Sequence, residues 1–269
     1  AGVADFHYLA ALQYGSGTPA DGAQTGLNAI RRYSEAQEAE MSAPDRYHLG
    51  SLYGLMRRED LGMKIFRRAV EGFEAMDSPP RAFYTRALIG AARADAADRD
   101  FASAAARIDR AREMNPEVPV DPMVEGMAML GTGRFAEAEK AWYRVLEPVE
   151  LVQESQIRAR LSKRCGEYKT LPEDGPTGRK LEEYTDQEIE TAIRELVPQM
   201  REFRKTFPPG WRNRKDSPPH RLKESERETL LRGMRKTERE FLALNREYLF
   251  RGHPLSPLAH HDAYVDLLR

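Results

Sequence analysis

The chain has 269 residues, of which 41% are apolar and 32% charged, and its formal net charge is −1. That balance fits a folded protein with a polar surface and excludes a polyelectrolyte whose whole surface binds nucleic acid. The one cysteine, Cys165, excludes an intramolecular disulfide and a cysteine-based zinc site.

A mean hydropathy of −0.68 fits surface-rich helices better than a compact β protein. No window approaches the ~18 consecutive apolar residues of a membrane span. Residues Ala1 to Phe6 lack the basic start and apolar run of a secretion leader. The expectation is a soluble protein, favouring the cytoplasm, with the periplasm or an organelle as the alternative if the N-terminus has been processed.

Val3 to Tyr14 reads as a short helix with Phe6, Leu9, Ala10 and Gln13 at helical spacing. Gly15 to Gly22 reads as a loop. A second helix is expected from Gln24 to Met41, with Leu27, Ile30 and Tyr33 on its apolar face. Ser42-Ala43-Pro44-Asp45 then opens a third helix, with Pro44 in its first turn. That helix contains Leu49-Gly50-x-x-Tyr53, and its partner contains Gly62-x-x-x-Phe66-x-x-Ala69. The next pair carries Ala92 and Ala104, with Ile108 four positions on; a third pair carries Gly126 and Ala138, with Trp142 four positions on.

In each pair the two small residues are twelve positions apart and a bulky residue follows the second by one helical turn. Small residues let two antiparallel helices approach closely, and the bulky neighbour fills the flank. The pattern, with its Leu-Gly-x-x-Tyr and Gly-x-x-x-Phe elements and closing prolines, resembles the tetratricopeptide repeat (TPR) over about residues 44–150. The resemblance is degenerate, because Arg46 stands where Trp is common and Ala92 replaces Gly. It implies an all-α, right-handed solenoid of helix hairpins, because one hairpin cannot bury both its faces. The units fall at about 44–78, 84–117 and 119–150, with a degenerate helix pair at 3–41, giving a repeat domain at 1–150. Residues 151–269 form a charged helical extension with Pro-rich loops. It comprises a helix from Leu151 to Tyr168, a Thr185–Glu188 capping box opening a helix to about Thr206 with Pro198 inside it, and a long helix ending near Phe250. The long helix is expected to bury Leu230, Leu231, Met234, Phe241, Leu244 and Leu249, and Tyr264 to Leu268 to close the chain as a short amphipathic helix.

Three constellations are candidates for function. By the repeat register the inner groove takes Tyr47 and Ser51 from the first unit, Arg86, Ile89 and Arg93 from the second, and Met123, Met127 and Leu130 from the third. Such a groove is basic in the middle and apolar at one end, and would hold a protein or peptide segment with an acidic group near Arg86 and Arg93, unless the chain's own C-terminal helices fill it. Tyr47 and Ser51 stand at two positions where some family members place the residues that grip a C-terminal carboxylate, which argues against such a clamp here. The second is the basic stretch 203–223, with Arg204, Lys205, Trp211, Arg212, Arg214 and Lys215, which docks an acidic protein, binds RNA or is a linker. The third is His260, His261 and Asp262, a weak metal candidate because adjacent histidines point apart. No phosphate loop, nucleophile elbow or dinucleotide fingerprint occurs, and no cofactor is expected. The expectation is a non-enzymatic interaction module, an adaptor or assembly subunit of a larger complex. The alternatives are an enzyme or metal protein with its site in the extension, and RNA binding through 203–223.

Overall fold

The computed structural model describes residues 2–33, 40–168, 170–208, 211 and 218–259, and every regular element among them is helical. An isolated antiparallel bridge joins Asp174 to Lys180. No described helix is long and apolar enough to cross a membrane. The chain divides into two compact units, Ala1–Thr132 and Gly133–Arg269.

The first unit contains α1 (Val3–Gly15), α2 (Pro19–Arg32), α3 (Ala43–Leu55), α4 (Glu59–Glu74), α5 (Arg81–Ala97), α6 (Phe101–Met114) and α7 (Pro122–Gly131). Each helix packs on the next, and α1, α3, α5 and α7 also touch in series. Starts are set by local chemistry. Ser42 accepts from the Asp45 amide at 3.3 Å, Asp100 from Ser103 at 3.1 Å and Asp121 from Met123 at 2.9 Å, while prolines enter the first turns of α2, α3 and α7.

The twelve-residue rule has a visible cause. A methyl group built on Gly62 would lie 2.9 Å from the Gly50 carbonyl, and one on Gly50 would lie 3.1 Å from the Phe66 ring. The two helices therefore touch backbone to backbone, and Phe66 fills the flank. Ala92, Ala104 and Ile108 are likewise fully buried.

The same rule governs α1 and α2, where the sequence reading placed a loop. A methyl on Gly22 would meet the Ala10 carbonyl at 3.1 Å and the Tyr14 ring at 2.8 Å, and Ala10 and Gly22 are again twelve apart. Pro19 starts α2 inside the expected loop, and the buried face is Gly22, Gly26 and Ala29. Leu27, expected on that face, is 40% exposed. The reason is steric: a methyl on Gly26 would lie 2.6 Å from the Met56 sulfur, so close approach selects the glycines.

In this unit a left-handed residue sits seven positions after each first small residue: Gly17 (φ 84°), Arg57 (55°) and Arg99 (65°). Bonds from Thr18 N to Gln13 O, Arg58 N to Tyr53 O and Asp100 N to Asp95 O, at 3.0, 2.9 and 2.8 Å, close these turns with the same six-to-one helix-ending bond. A small residue, a left-handed turn at +7 and a second small residue at +12 thus form the repeating element of this region.

The second unit contains α8 (Phe135–Trp142), α9 (Val149–Gly166), α10 (Asp186–Thr206), α11 (Glu224–Phe250) and α12 (Ser256–Ala259), with 3-10 turns at Leu181–Glu183 and Pro218–Arg221. α9 packs on α8, α11 and α12, and α10 packs on α11. Trp142 is fully buried, donates Nε1 to Ser162 Oγ at 3.1 Å, and lies 5.3 Å below the Arg158 guanidinium. The Thr185–Glu188 capping box is present, and α10 runs through Pro198 to Thr206. In α11 the residues from Phe241 to Asn245 are buried on every side, while Leu230, expected in the apolar stripe, is 37% exposed. The N-terminal half of that helix buries much less than its sequence periodicity implies. The expected helix from Tyr264 to Leu268 lies outside the described residues.

Candidate functional site

Within the first unit α3, α4 and α5 meet around Phe66. Gly50 flanks the ring on one side, and a methyl on Gly90 of α5 would lie 2.5 Å from the ring. Two helices have thus dropped their side chains to admit one phenyl ring. Beside it opens a cavity of about 220 Å³, lined by Gly50, Gly54, Glu59, Gly62, Met63, Phe66, Ile89, Gly90 and Arg93. It lies below the usual range for drug-sized ligands and suits one large apolar side chain.

Three of its four glycines are explained by packing: Gly50 and Gly90 by Phe66, and Gly62 by the Gly50 carbonyl. Gly54 is not. A methyl there would meet nothing within 4 Å, its φ is ordinary for a helix, and it is exposed. Glycine inside a helix costs about 1 kcal/mol relative to alanine, and no internal contact calls for it at this position.

Next to the cavity, α1, α3 and α5 share an aromatic cluster. Tyr47 stacks on Phe83 at 5.3 Å, and His48 meets the Phe83 ring edge-on at 5.0 Å. The Nδ1 atoms of His7 and His48 are 2.9 Å apart, so one donates to the other. Burial first, then His48, then the Arg86 cation push the His7 imidazole down to about 4. Burial also lowers His48, against an opposing pull from Asp45. Both imidazoles are therefore neutral at physiological pH.

The expected groove residues divide among these features. Ile89 and Arg93 line the cavity. Tyr47 is buried in the aromatic cluster, and Ser51 turns its hydroxyl back to the Tyr47 carbonyl at 2.9 Å. Arg86 is exposed on α5. Met123 and Met127 are half-buried on α7, and Leu130 is fully buried in the core of the first unit, with no surface to offer a groove. Sequence reading did not single out His7, His48, Gly54, Phe83 or Gly90. Gly54 and Gly90 carried a signal, as glycines inside a helical pattern without a turn to explain them. The histidines carried none, being 41 positions apart.

The other candidates separate as clearly. Trp211 packs edge-on against Phe207 at 5.5 Å, and its carbonyl lies 3.2 Å from His220 Nε2. Lys205 pairs with Glu202 at 2.5 Å, and Arg204 is half-buried. Arg212, Arg214 and Lys215 lie outside the described residues, as do His260, His261 and Asp262. His253 bonds Asp186 at 2.7 Å, and no group of three metal-ligating side chains occurs among the described residues. Cys165 is buried and its thiol is pushed up to about 12, which keeps it protonated and inert.

No family model matches the chain, and no curated protein and no solved structure is detectably similar to it.

Proposed function

We propose that the protein is a non-enzymatic interaction module, an adaptor or assembly subunit, built on a TPR-like array of helix pairs. A partner segment lies along α3 and α5 and seats one large apolar side chain beside Phe66. The observation that carries this reading is Gly54, the one cavity glycine that no internal contact requires. Rigid helices present the cavity preformed, so the scaffold loses little freedom on binding. The repeat register is consistent with this face, because it sets Ile89 and Arg93 one turn apart on α5 and both line the cavity.

The test is selection of displayed peptides on the wild-type protein with counter-selection on Gly54→Trp. The Cβ of the new side chain enters open space, and its indole is placed to occupy the cavity. Peptides sharing a large apolar residue should be enriched, lose binding to Gly54→Trp, and crosslink near Ile89 or Arg93. No enrichment over the variant, or crosslinks confined to other surfaces, would sink the proposal.

A further inference from the structure

We infer that the segment seated in this cavity is acidic beside its anchor: an Asp or Glu two residues from the apolar side chain pairs with Arg86. This inference rests on the interaction reading above and sharpens it to one chemistry of partner.

Two guanidinium groups stand on the outward side of α5, Arg86 and Arg93, seven residues apart, a helical rise of about 10.5 Å. Their situations differ. Arg93 Nη2 lies 3.1 Å from Asp121 and Nη1 lies 3.9 Å from Glu59, so its charge is already matched. Arg86 has no carboxylate and no hydrogen-bond acceptor among the described residues. An exposed arginine is by itself ordinary, but the surroundings of this one are not. It stands one turn from Ile89 and Gly90 of the cavity wall on one side and one turn from Phe83 of the aromatic cluster on the other. Its field reaches His7, a part-buried imidazole among those rings. No acceptor among the described residues already holds it, so a partner carboxylate can make a charge-assisted pair with Arg86 without displacing an existing one, as it would have to at Arg93.

The spacing sets the motif. Arg86 and Gly90 are four residues apart, a rise of about 6 Å. In an extended peptide, residues i and i+2 point the same way and lie about 6.7 Å apart. An anchor beside Gly90 therefore places the side chain two residues away over Arg86. The expected recognition element is a large apolar residue with Asp or Glu at the second position from it.

Capped nine-residue Gly/Ser peptides carrying one Phe and, two positions away, Glu, Gln or Lys test this by NMR titration of the full chain. The Glu peptide should bind about five-fold more tightly than the Gln peptide, the scale of one charge-assisted bond near a surface, and the Lys peptide more weakly still. Arg86→Gln should remove the preference, while Arg110→Gln on α6, outside the cavity lining, should keep it. A second readout is the His7 ring. Tyr8 on its own helix, Asp45, Tyr47 and His48 of α3, and Arg86 of α5 are the titratable and charged groups around it. A carboxylate on Arg86 cancels that cation's push, so the midpoint of His7 should rise from about 4 when the Glu peptide binds and not when the Gln peptide binds.

Equal binding of Glu and Gln peptides, or a preference that survives Arg86→Gln, overturns the inference and leaves the cavity reading standing. If no Phe peptide binds the wild-type protein more tightly than Gly54→Trp, both fail together. Binding of a short oligouridine that is lost in Arg86→Gln, with no binding of the Glu peptide, would overturn the inference in favour of a nucleic-acid ligand.

Discussion

The two compact units fasten their helices in different ways. The first brings backbones together: Gly22 approaches Ala10, Gly62 approaches Gly50, and bulky residues fill the flanks. Its buried charges include Asp95, 2.7 Å from Arg67 Nε and 2.8 Å from Arg107 Nε, and Glu125, 2.8 Å from Arg112 Nη2. The second unit relies on polar staples. Arg251 reaches the carbonyls of Tyr184 at 2.6 Å and Leu181 at 2.9 Å, and the carboxylates of Asp186 at 3.0 Å and Glu247 at 2.9 Å. Glu154 accepts the Leu255 amide at 3.0 Å, and Glu238 holds Arg164 and accepts the Tyr168 hydroxyl at 2.6 Å. Close approach needs only small residues at a fixed offset, so it repeats. A staple needs particular partners far apart in sequence, so each is made once.

The comparison can be broken most forcefully at Arg251. Arg251→Met keeps the aliphatic stem but strips three carbonyls, that of Glu182 at 3.3 Å among them, and two carboxylates of their shared donor, and should destabilise the second unit by about 2–3 kcal/mol. Both tryptophans, Trp142 and Trp211, lie in that unit, so denaturant unfolding followed by tryptophan fluorescence reads it directly. A midpoint equal to wild type would show that the staple contributes nothing.

A pair of substitutions sharpens the other half. Gly62→Ala drives a methyl against the Gly50 carbonyl, 2.9 Å away, and should cost about 1–3 kcal/mol through overpacking. Gly54→Ala adds the same methyl to open space eight positions earlier and should stabilise by about 0.5–1 kcal/mol through helix propensity. Opposite shifts of the midpoint by circular dichroism are expected; shifts of the same sign would mean that close approach does not govern this unit.

The smallest effect concerns pH. The folded-state value of His7 lies near 4, below its ordinary 6.5. The unfolded chain therefore binds the proton more readily between those values. The His7 contribution is fully present above about pH 6.5 and is lost as pH falls through 4. His48, shifted in the same direction, adds to this slope. The melting temperature should decline across that window, and His7→Phe should flatten the decline in part. An unchanged slope would show that the His7–His48 contact is not made in solution.

Much of the first unit was legible because its packing rule is local. The offset of twelve between Gly50 and Gly62, and between Ala92 and Ala104, can be counted along the chain. It was missed between Ala10 and Gly22 because Gly15, Gly17, Pro19 and Gly22 together look like a loop. Only the Tyr14 ring, lying where a Gly22 side chain would stand, shows why a glycine suits that helix. The candidate site was legible in part. Register put Ile89 and Arg93 in the expected groove, and both line the cavity, but it also put Leu130 there, which packing buries completely. The difference between Arg86 and Arg93 could not be read at all, since it depends on Asp121, 28 positions from Arg93.

The sequence by itself determined the helical class, the helix starts at Ser42 and Thr185, and the small residues on α3 with α4 and on α5 with α6. These follow from local propensity and from offsets within a single hairpin. Tertiary structure alone decided that Gly50, Gly54, Gly62 and Gly90 converge on one cavity, that His7 meets His48, and that Arg86, unlike Arg93, has no carboxylate among the described residues. Each of these depends on how neighbouring hairpins are rotated against one another, and no offset along a single hairpin encodes that angle.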